Sequence, residues 1–530
     1  MGKNILIFSD GTGNIGGILF DEDRSNIYKL YRATRVSPDS NINPQEQVAY
    51  YDAGLGSKSA SGGTLRTAAR KIYNLASQAT GLGITKNMID CYEAIIRHWE
   101  PDDRIFLFGF SRGAYTVRCL AGVLAQCGIP TRLEGRGAMK FDRATVRRVA
   151  TIGVKKVYQH TTSWERDENA TKRQRALLDQ RDQLAAHFRE TFGSNYADGM
   201  SNAIPHFIGV FDTVASLANW ISIVGFAAAA FIANYFVAWI AQTAFAWLGF
   251  SQSFWWWYIT LALALGTLAW LAFSQSHLKF AFTHFSGRWW RPKYHNILSL
   301  FSVAEPAMRF YDQDLNVRVG FARHAISIDE RRSAFNRLKW GNLTDWRVVE
   351  SGAPTWLRQF WFAGNHSDIG GSYPENESRL SDIALKWMIE EAEHPAIGLK
   401  VDHRVLALWA SPGGMQHDET RRGLFQLSGK MDRDPVKNAT VHESVVERFK
   451  LRSVLDFDSI RPYRPGCLAQ HERVIHFYDA DVLVDQFAEG ALLEAMRRSR
   501  EALAADNAVE SEHWTTVAGE IQRRLSEFKN

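Results

Sequence analysis

Residues 105–113 read Ile-Phe-Leu-Phe-Gly-Phe-Ser-Arg-Gly and continue into Ala-Tyr-Thr-Val-Arg. The apolar run predicts a buried strand. The small-faced stretch from Ala114 to Gly122 predicts a helix whose N-terminus points back at Ser111. Gly109 and Gly113 flank the serine where side chains would obstruct a tight strand-to-helix turn. A turn of this kind lifts a serine hydroxyl out of the backbone as a nucleophile. An ordinary Gly-bounded turn is the alternative reading.

A serine nucleophile needs a base, and the base needs an orienting carboxylate. The run Pro205-His-Phe-Ile-Gly-Val-Phe-Asp212 predicts a strand that delivers Asp212 to its C-terminal end, where parallel sheets carry their chemistry. Gln359-Phe-Trp-Phe-Ala363 predicts a later strand running into Gly364-Asn-His-Ser-Asp-Ile-Gly-Gly371, which places His366 on a small-residue loop. The order Ser111, Asp212, His366 is the Ser…Asp…His order of an α/β-hydrolase. Competitors for the base are His324 and His442, and Asp368 competes with Asp212 as the group that orients His366. An oxyanion needs backbone donors: Arg112, directly after the serine, supplies one. Gly11 and Thr12, in Phe8-Ser-Asp-Gly-Thr-Gly-Asn14, are expected to supply the second, unless that segment is a turn closed by Asp10. The chemistry is attack on an ester carbonyl, followed by hydrolysis of the acyl-enzyme.

These elements imply an α/β fold with an α/β-hydrolase-like, mostly parallel sheet, interrupted by one unusual stretch. From Thr213 to Leu278 there is no Asp, Glu, Lys or Arg. Apolar blocks at about 218–250 and 254–273 are separated by Ser251-Gln-Ser253, with Trp255, Trp256, Trp257 and Tyr258 beside the turn. A hydrocarbon core of about 30 Å takes about 20 helical residues, so a transmembrane hairpin is expected, with a buried core hairpin or a lid that only touches lipid as the alternatives. Lys279, Arg288, Arg291 and Lys293 follow the second block, which puts the hydrolase body on the cytoplasmic side of a bacterial inner membrane. Trp289 and Trp290 suit the headgroup interface.

The division expected is 1–216 and 276–395 for the two parts of the hydrolase domain. The hairpin insertion takes 217–275, and a mostly helical C-terminal region 396–530. The 530 residues are 46% hydrophobic with a net charge of +5, which fits a folded protein and gives no support for nucleic-acid binding. Cys91, Cys119, Cys127 and Cys467 form no C-x-x-C pair, and no acidic or histidine spacing predicts a metal site or cofactor. The N-terminus lacks a signal-peptide pattern, and Leu6 defeats a myristoylation motif. Residues 164–192 read as a charged, solvated helix, and about 480–529 as amphipathic helix that docks on the body.

Taken together, several motifs resemble one family, the bacterial α/β-hydrolase domains that include phospholipase effectors of type VI secretion systems. They are Phe8-Ser-Asp-Gly-Thr-Gly-Asn14, Tyr51-Asp-Ala-Gly54, Gly109-Phe-Ser-Arg-Gly-Ala-Tyr115, Gly209-Val-Phe-Asp-Thr-Val214, His324-Ala-Ile-Ser-Ile-Asp-Glu-Arg331 and Gly364-Asn-His-Ser-Asp-Ile-Gly-Gly371. The resemblance covers most of residues 3–395. It implies a Ser-Asp-His hydrolase with Ser111, Asp212 and His366 in the catalytic positions and phospholipid as a plausible substrate. A resident membrane enzyme acting on lipid esters fits as well as a secreted toxin. The reading from another class is a catalytically silent membrane scaffold on the same fold.

Overall fold

The computed structural model describes residues 2–11, 23–53, 82–134, 137–139, 141–161, 172–214, 220–247, 249, 253–277, 315–340, 353–421, 426, 429–435 and 437–527. Side chains of the apolar hairpin are described over 231–247 and 254–266, apart from 233 and 245. Thr12, the Gly/Ser stretch 56–63, residues 164–171, Trp289 and Trp290 lie outside the described residues.

The chain enters through strand β1 (Asn4–Ser9), helix α1 (Asn26–Thr34) and strand β2 (Gln47–Asp52). Helix α2 (Leu82–His98), strand β3 (Arg104–Phe110), and helices α3 (Arg112–Cys127), α4 (Arg143–Ile152) and α5 (Lys172–Phe192) follow. Next come strand β4 (Pro205–Phe211), the hairpin helices α6 (Trp220–Trp247) and α7 (Phe254–His277), and strands β5 (Phe321–Ser327) and β6 (Leu357–Phe362). A short helix α8 (His366–Gly370) and helix α9 (Arg379–Glu393) complete the sheet region. Among the described residues the main sheet has six strands, ordered β2-β1-β3-β4-β5-β6, and every pair is parallel.

The inner strands β1, β3 and β4 are mostly apolar because both faces are covered. Period-two alternation sorts the side chains. Ile5, Ile7, Ile105, Leu107, Ile208 and Val210 meet helices α2 to α5 on one face. Leu6, Phe8, Phe106, Phe108, Phe207 and Phe211 meet α1 and α9 on the other. The second face is a run of rings, with Phe8 stacked on Phe108 at 5.1 Å and Phe108 against Phe207 at 5.4 Å. Gly209 lies in this row because a Cβ there would sit 2.6 Å from the Met388 sulfur and 2.9 Å from the Phe108 ring. The charged helix α5 is not simply solvated: Leu184, Ala185, Phe188 and Phe192 are buried in the first core. Cys91, Cys119 and Cys127 are buried and form no disulfide among the described residues.

The region after 396 shares a core with the sheet. Ile326, Ile328, Trp361 and Ala363 pack with Val441, Val445, Phe449 and Phe477, and the Trp361 N–H donates to the Thr440 carbonyl at 2.9 Å. Helices α10 (Glu443–Lys450) and α11 (Ile475–Phe487) flank a small antiparallel pair, β7 (Val454–Asp456) and β8 (Ser459–Arg461). Helices α12 (Ala491–Ala504) and α13 (Ala508–Glu527) close on α11 around Ala480, Leu483, Ala495, Val517 and Ile521. Arg524 ties α13 to α11 through Asp481 at 2.6 Å, and Arg464 holds the same carboxylate at 2.6 Å.

Among the described residues no helix is long and apolar enough to cross a membrane, so the transmembrane hairpin expected from the sequence is not shown. What is seen is a pair of helices joined at Asn234, whose side chain donates to the Tyr258 carbonyl at 3.0 Å, and at the fully buried Ala238. Tyr235 packs edge-on to Phe254 at 5.0 Å. Around this seam Phe231, Ile232, Phe236, Val237, Trp239 and Ile240 of α6, and Trp255, Ile259, Leu263 and Leu265 of α7, are exposed.

The glycines at the end of β3 give a sharp prediction. A Cβ on Gly113 would lie 2.0 Å from the Ser9 carbonyl oxygen, a backbone atom of β1 that cannot swing away. Gly113→Ala is expected to destabilise the protein by roughly 1–3 kcal/mol or more. Gly519→Ala, in α13 with nothing within 4 Å of the new methyl, is expected to be neutral or stabilising by up to about 1 kcal/mol. Thermal melts of the two variants check this; equal melting points would contradict the packing argument.

Candidate active site

In a sheet ordered 2-1-3-4-5-6, the connections leave in opposite directions from β1 and β3, and ligands bind at the C-terminal ends beside that switch. Ser111 follows β3 directly. Its backbone is held at φ 59°, ψ −122°, in the left-handed half of conformational space. A non-glycine residue there is strained, and the surroundings fix it: the Ser111 N–H donates to the Phe211 carbonyl at 3.2 Å, and α3 starts at the next residue. Serine is a favoured N-cap, yet the Ser111 hydroxyl makes no capping bond to α3. Gly109 completes the turn, since a Cβ there would lie 2.6 Å from the Ala114 Cα. The elbow expected from the sequence is therefore present in its backbone geometry.

Strand register then brings in Asp212. Phe110 pairs with Phe211, so Ser111 and Asp212 leave adjacent strands at the same level. Asp212 is fully buried with φ 32°. Its Oδ1 accepts the Ser327 N–H at 3.1 Å; its Oδ2 accepts His366 Nδ1 at 2.6 Å and Arg433 Nη2 at 3.0 Å. Burial pushes this carboxyl up. Arg433, the His366 bond and the Ser327 N–H outweigh burial and hold it well below the ordinary carboxylate range.

His366 opens α8 past the end of β6 and is 3% exposed. Its ring lies between Phe110, at 4.7 Å, and Phe335, at 5.0 Å. Burial lowers its basicity, and Arg332 adds to that, while Asp212 and Glu330 act the other way; the net shift is downward. Because Nδ1 faces a carboxylate, it carries the proton, and the neutral ring presents a lone pair at Nε2. Nε2 is buried and has no hydrogen-bond partner in the structure. That is the arrangement of a general base whose second nitrogen is reserved for a substrate-side proton.

The loop that carries His366 is tightly built. Asn365 caps α8, accepting the Ser367 and Asp368 N–H groups at 2.9 Å each, and Asp368 reciprocates to the Asn365 N–H at 3.0 Å. Glu330 accepts the His366 N–H at 3.2 Å and is locked by Arg332, whose guanidinium stacks on Phe335 at 3.7 Å. Asp329 accepts the Gly364 N–H at 2.7 Å; burial pushes its carboxyl up to about 6.

The competitors resolve differently. His324 is fully buried under Trp340, its Nε2 accepts the Thr213 N–H at 3.4 Å, and burial lowers it to about 3, which makes it a neutral core residue. His442 caps α10 through its Nδ1, with burial lowering it to about 4. Asp368 does not touch His366; it holds His417, at 2.7 Å from Nδ1. Arg112 takes the first position of α3, where the helix N-terminus faces the elbow. The Gly11 N–H donates to its neighbour Asp10 Oδ1 at 2.6 Å, and Thr12, the other expected donor, lies outside the described residues. Asp10 is further held by the Ser25 hydroxyl at 2.5 Å and the Tyr51 hydroxyl at 2.6 Å.

Sequence reading missed Arg433, Glu330 and His417. Glu330 lies inside a motif already singled out, but Arg433 and His417 sit in coil with no local pattern. Arg433 arrives because residues 429–431 run beside 331–333: Ser333 N–H donates to the Gly429 carbonyl at 2.9 Å and Met431 N–H to the Arg331 carbonyl at 2.8 Å. His417 is 1% exposed, stacked on Tyr373 at 3.6 Å, with Asp368 on one nitrogen and Glu377 on the other at 3.1 Å. Only the imidazolium can donate to both carboxylates. Burial disfavours that cation, but Asp368 and Glu377 overcome it and raise the His417 pKa. A raised folded-state pKa stabilises fully below the unfolded value of about 6.5 and is lost as pH rises through the folded value. Wild type should therefore exceed His417→Gln in melting temperature most strongly in mild acid, the gap shrinking toward alkaline pH. A pH-independent gap would contradict the assignment.

Comparisons with known proteins supply a family for the chain. The family model described as "T6SS, Phospholipase effector Tle1-like, catalytic domain" matches residues 3–246 and 284–391, more than half of the chain. The uncharacterized protein YEL023C of Saccharomyces cerevisiae is 30% identical over 220 residues, which is 41% of this chain and 27% of that protein. An uncharacterized protein from Pseudomonas aeruginosa aligns over 98% of this chain and 62% of its own, with 16% identity and a TM-score of 0.32. The Tle1 effector bound to the VgrG spike of the type 6 secretion system aligns over 71% of this chain and 52% of its own, with 16% identity and a TM-score of 0.26. The chain thus spans under two thirds of each of these relatives, and the family match carries the assignment. On that match, the chain belongs to the Tle1-like phospholipase-effector catalytic-domain family, a family of hydrolases.

Proposed function

We propose that this chain is a serine hydrolase cleaving carboxylic esters of phospholipids or related lipids, with Ser111 as nucleophile, His366 as general base and Asp212 as the orienting carboxylate. The observation that carries the reading is the buried His366 imidazole, fixed on Asp212 through Nδ1 and unpartnered at Nε2, beside a strained elbow serine. His366 takes the Ser111 proton as the oxygen attacks the ester carbonyl. The oxyanion develops toward the N-terminus of α3, with the Arg112 N–H as donor. His366 returns the proton to the departing alcohol, and water then hydrolyses the acyl-enzyme by the reverse relay. Lipid as the substrate class rests on the family and on the exposed apolar hairpin.

The hairpin, in this reading, lies against the lipid surface that holds the substrate. An uncovered apolar surface of this extent marks a membrane or protein contact. Lys279, Arg288, Arg291 and Lys293, which follow it in sequence, suit anionic headgroups on the cytoplasmic face of a bacterial inner membrane.

Three experiments test these statements. Ser111→Ala should abolish fluorophosphonate labelling and esterase activity in detergent while leaving the melting temperature near wild type; full activity in the variant removes Ser111 as nucleophile. Because His366 is shifted downward, the acid limb of kcat/KM should fall below about pH 6.5. Replacing Phe231, Ile232, Phe236 and Ile240 by serine should release the protein from anionic phospholipid vesicles and spare hydrolysis of a soluble short-chain ester. Undiminished vesicle binding would sink the hairpin as the contact.

A further inference from the structure

We propose that Arg433, from the chain beyond the matched catalytic domain, is a positioning residue of the active site: it holds Asp212 ionised and aimed at His366. The proposal rests on the Ser111–Asp212–His366 reading and deepens it.

The geometry is specific. Arg433 is 6% exposed, and its Nη2 donates both to Asp212 Oδ2 at 3.0 Å and to the Phe335 carbonyl at 3.0 Å. The same Oδ2 receives His366 Nδ1, so one oxygen is shared between a permanent cation and the base. With Ser327 on Oδ1, the carboxylate has three donors and no freedom to rotate. Phe335, whose carbonyl Arg433 holds, also forms one wall of the His366 pocket, so the guanidinium fixes the acid and a side of the base together.

The physical need is plain. A carboxylate that orients a catalytic histidine must stay anionic when the imidazolium forms, and a fully buried carboxylate left alone drifts toward its neutral form. His366 is neutral for most of the cycle and cannot supply the compensating charge. Around the pair stand Arg433, Arg337, Arg332, Glu330 and His324. Of the arginines, Arg433 alone has a hydrogen bond to the Asp212 carboxylate. Arg337 lies over the Trp361 ring at 4.7 Å, and Arg332 is bonded to Glu330 at 2.7 Å. Arg433 reaches Asp212 through one nitrogen rather than a bidentate fork, and its Nη1 has no hydrogen bond. A lysine ammonium can therefore deliver the same charge at the same oxygen, which it could not do at a forked site.

The test compares Arg433→Lys, which keeps the charge, with Arg433→Gln, which keeps an N–H donor and drops it. The readout is the rate of fluorophosphonate labelling of the full-length chain against pH, with melting temperatures taken alongside. Loss of the cation raises the pKa of the acid–base pair, so the acid limb in Arg433→Gln should move up by about one pH unit, with labelling slowed on the order of tenfold on the acid side of the limb and by about threefold or less at pH 7. Arg433→Lys should keep the wild-type limb. A merely structural role would lower the melting temperature of both and leave the limb where it is; an unmoved limb in Arg433→Gln overturns the proposal. If Ser111→Ala labels as wild type does, the triad reading itself has failed, and the Arg433 role falls with it.

Discussion

A carboxylate with no exposure to water is the point on which this site turns. Burying Asp212 as an anion costs several kcal/mol unless donors and cations surround it. The fold meets that cost with groups from three distant segments: Ser327 at the end of β5, His366 past β6, and Arg433 from coil a further 67 positions on. None can be displaced without uncovering the others' partner. The segment from 396 onward is thereby tied to the sheet both through the shared apolar core at Trp361 and Val441 and through charge at Asp212.

The sheet supplies what such a site needs before any side chain acts. Six parallel strands end on one side, and register alone sets Ser111 beside Asp212. Backbone strain at Ser111 is sustained because alternatives are closed off: Gly109 and Gly113 leave no room for the turn to relax by rotating a Cβ inward, and the Phe211 carbonyl holds the serine N–H. The hydroxyl is kept out of the capping bond that serine would otherwise make at a helix start. Strain and an unused cap are two sides of one conformational choice.

The parts of this arrangement that were legible in the sequence are those encoded locally. Continuous apolar runs ending in Ser111, Asp212 and the Gly364–Gly371 loop predict strands and their C-terminal ends, and those ends are where β3, β4 and β6 stop. Local pattern could not reveal which carboxylate serves which histidine. Asp368 is two residues from His366 and yet bonds His417, because the capping box turns its side chain away from the ring before it. Arg433 was invisible for a related reason: its role depends on two coil segments lying side by side, and coil pairing leaves no periodic trace. Just past β1, Asp10 bonds its own neighbour's N–H, a local contact that the sequence pattern alone does not distinguish from an open donor. The apolar hairpin was obvious as composition, but composition alone does not say what covers a helix.

The two histidines tied to the α8 loop show how environment, rather than residue type, assigns a task. His366 has one carboxylate, and an arginine shares that carboxylate's oxygen. Little net negative charge is left to favour the imidazolium, so burial prevails and the ring is pushed toward its neutral form, which the proposed base role requires. His417, bonded to the same loop through Asp368, has two carboxylates and no arginine on either contacting oxygen among the described residues. There burial loses, the ring holds its proton, and it binds Asp368 to Glu377 as a fixed cation. Opposite protonation states are thus held around one short loop at one pH, which is how a single fold separates an acid–base role from a structural one. The neutrality of His366 depends on the arginine beside Asp212 as much as on the carboxylate itself. The rigidity of the loop that carries it depends on a histidine that has been given the opposite instruction.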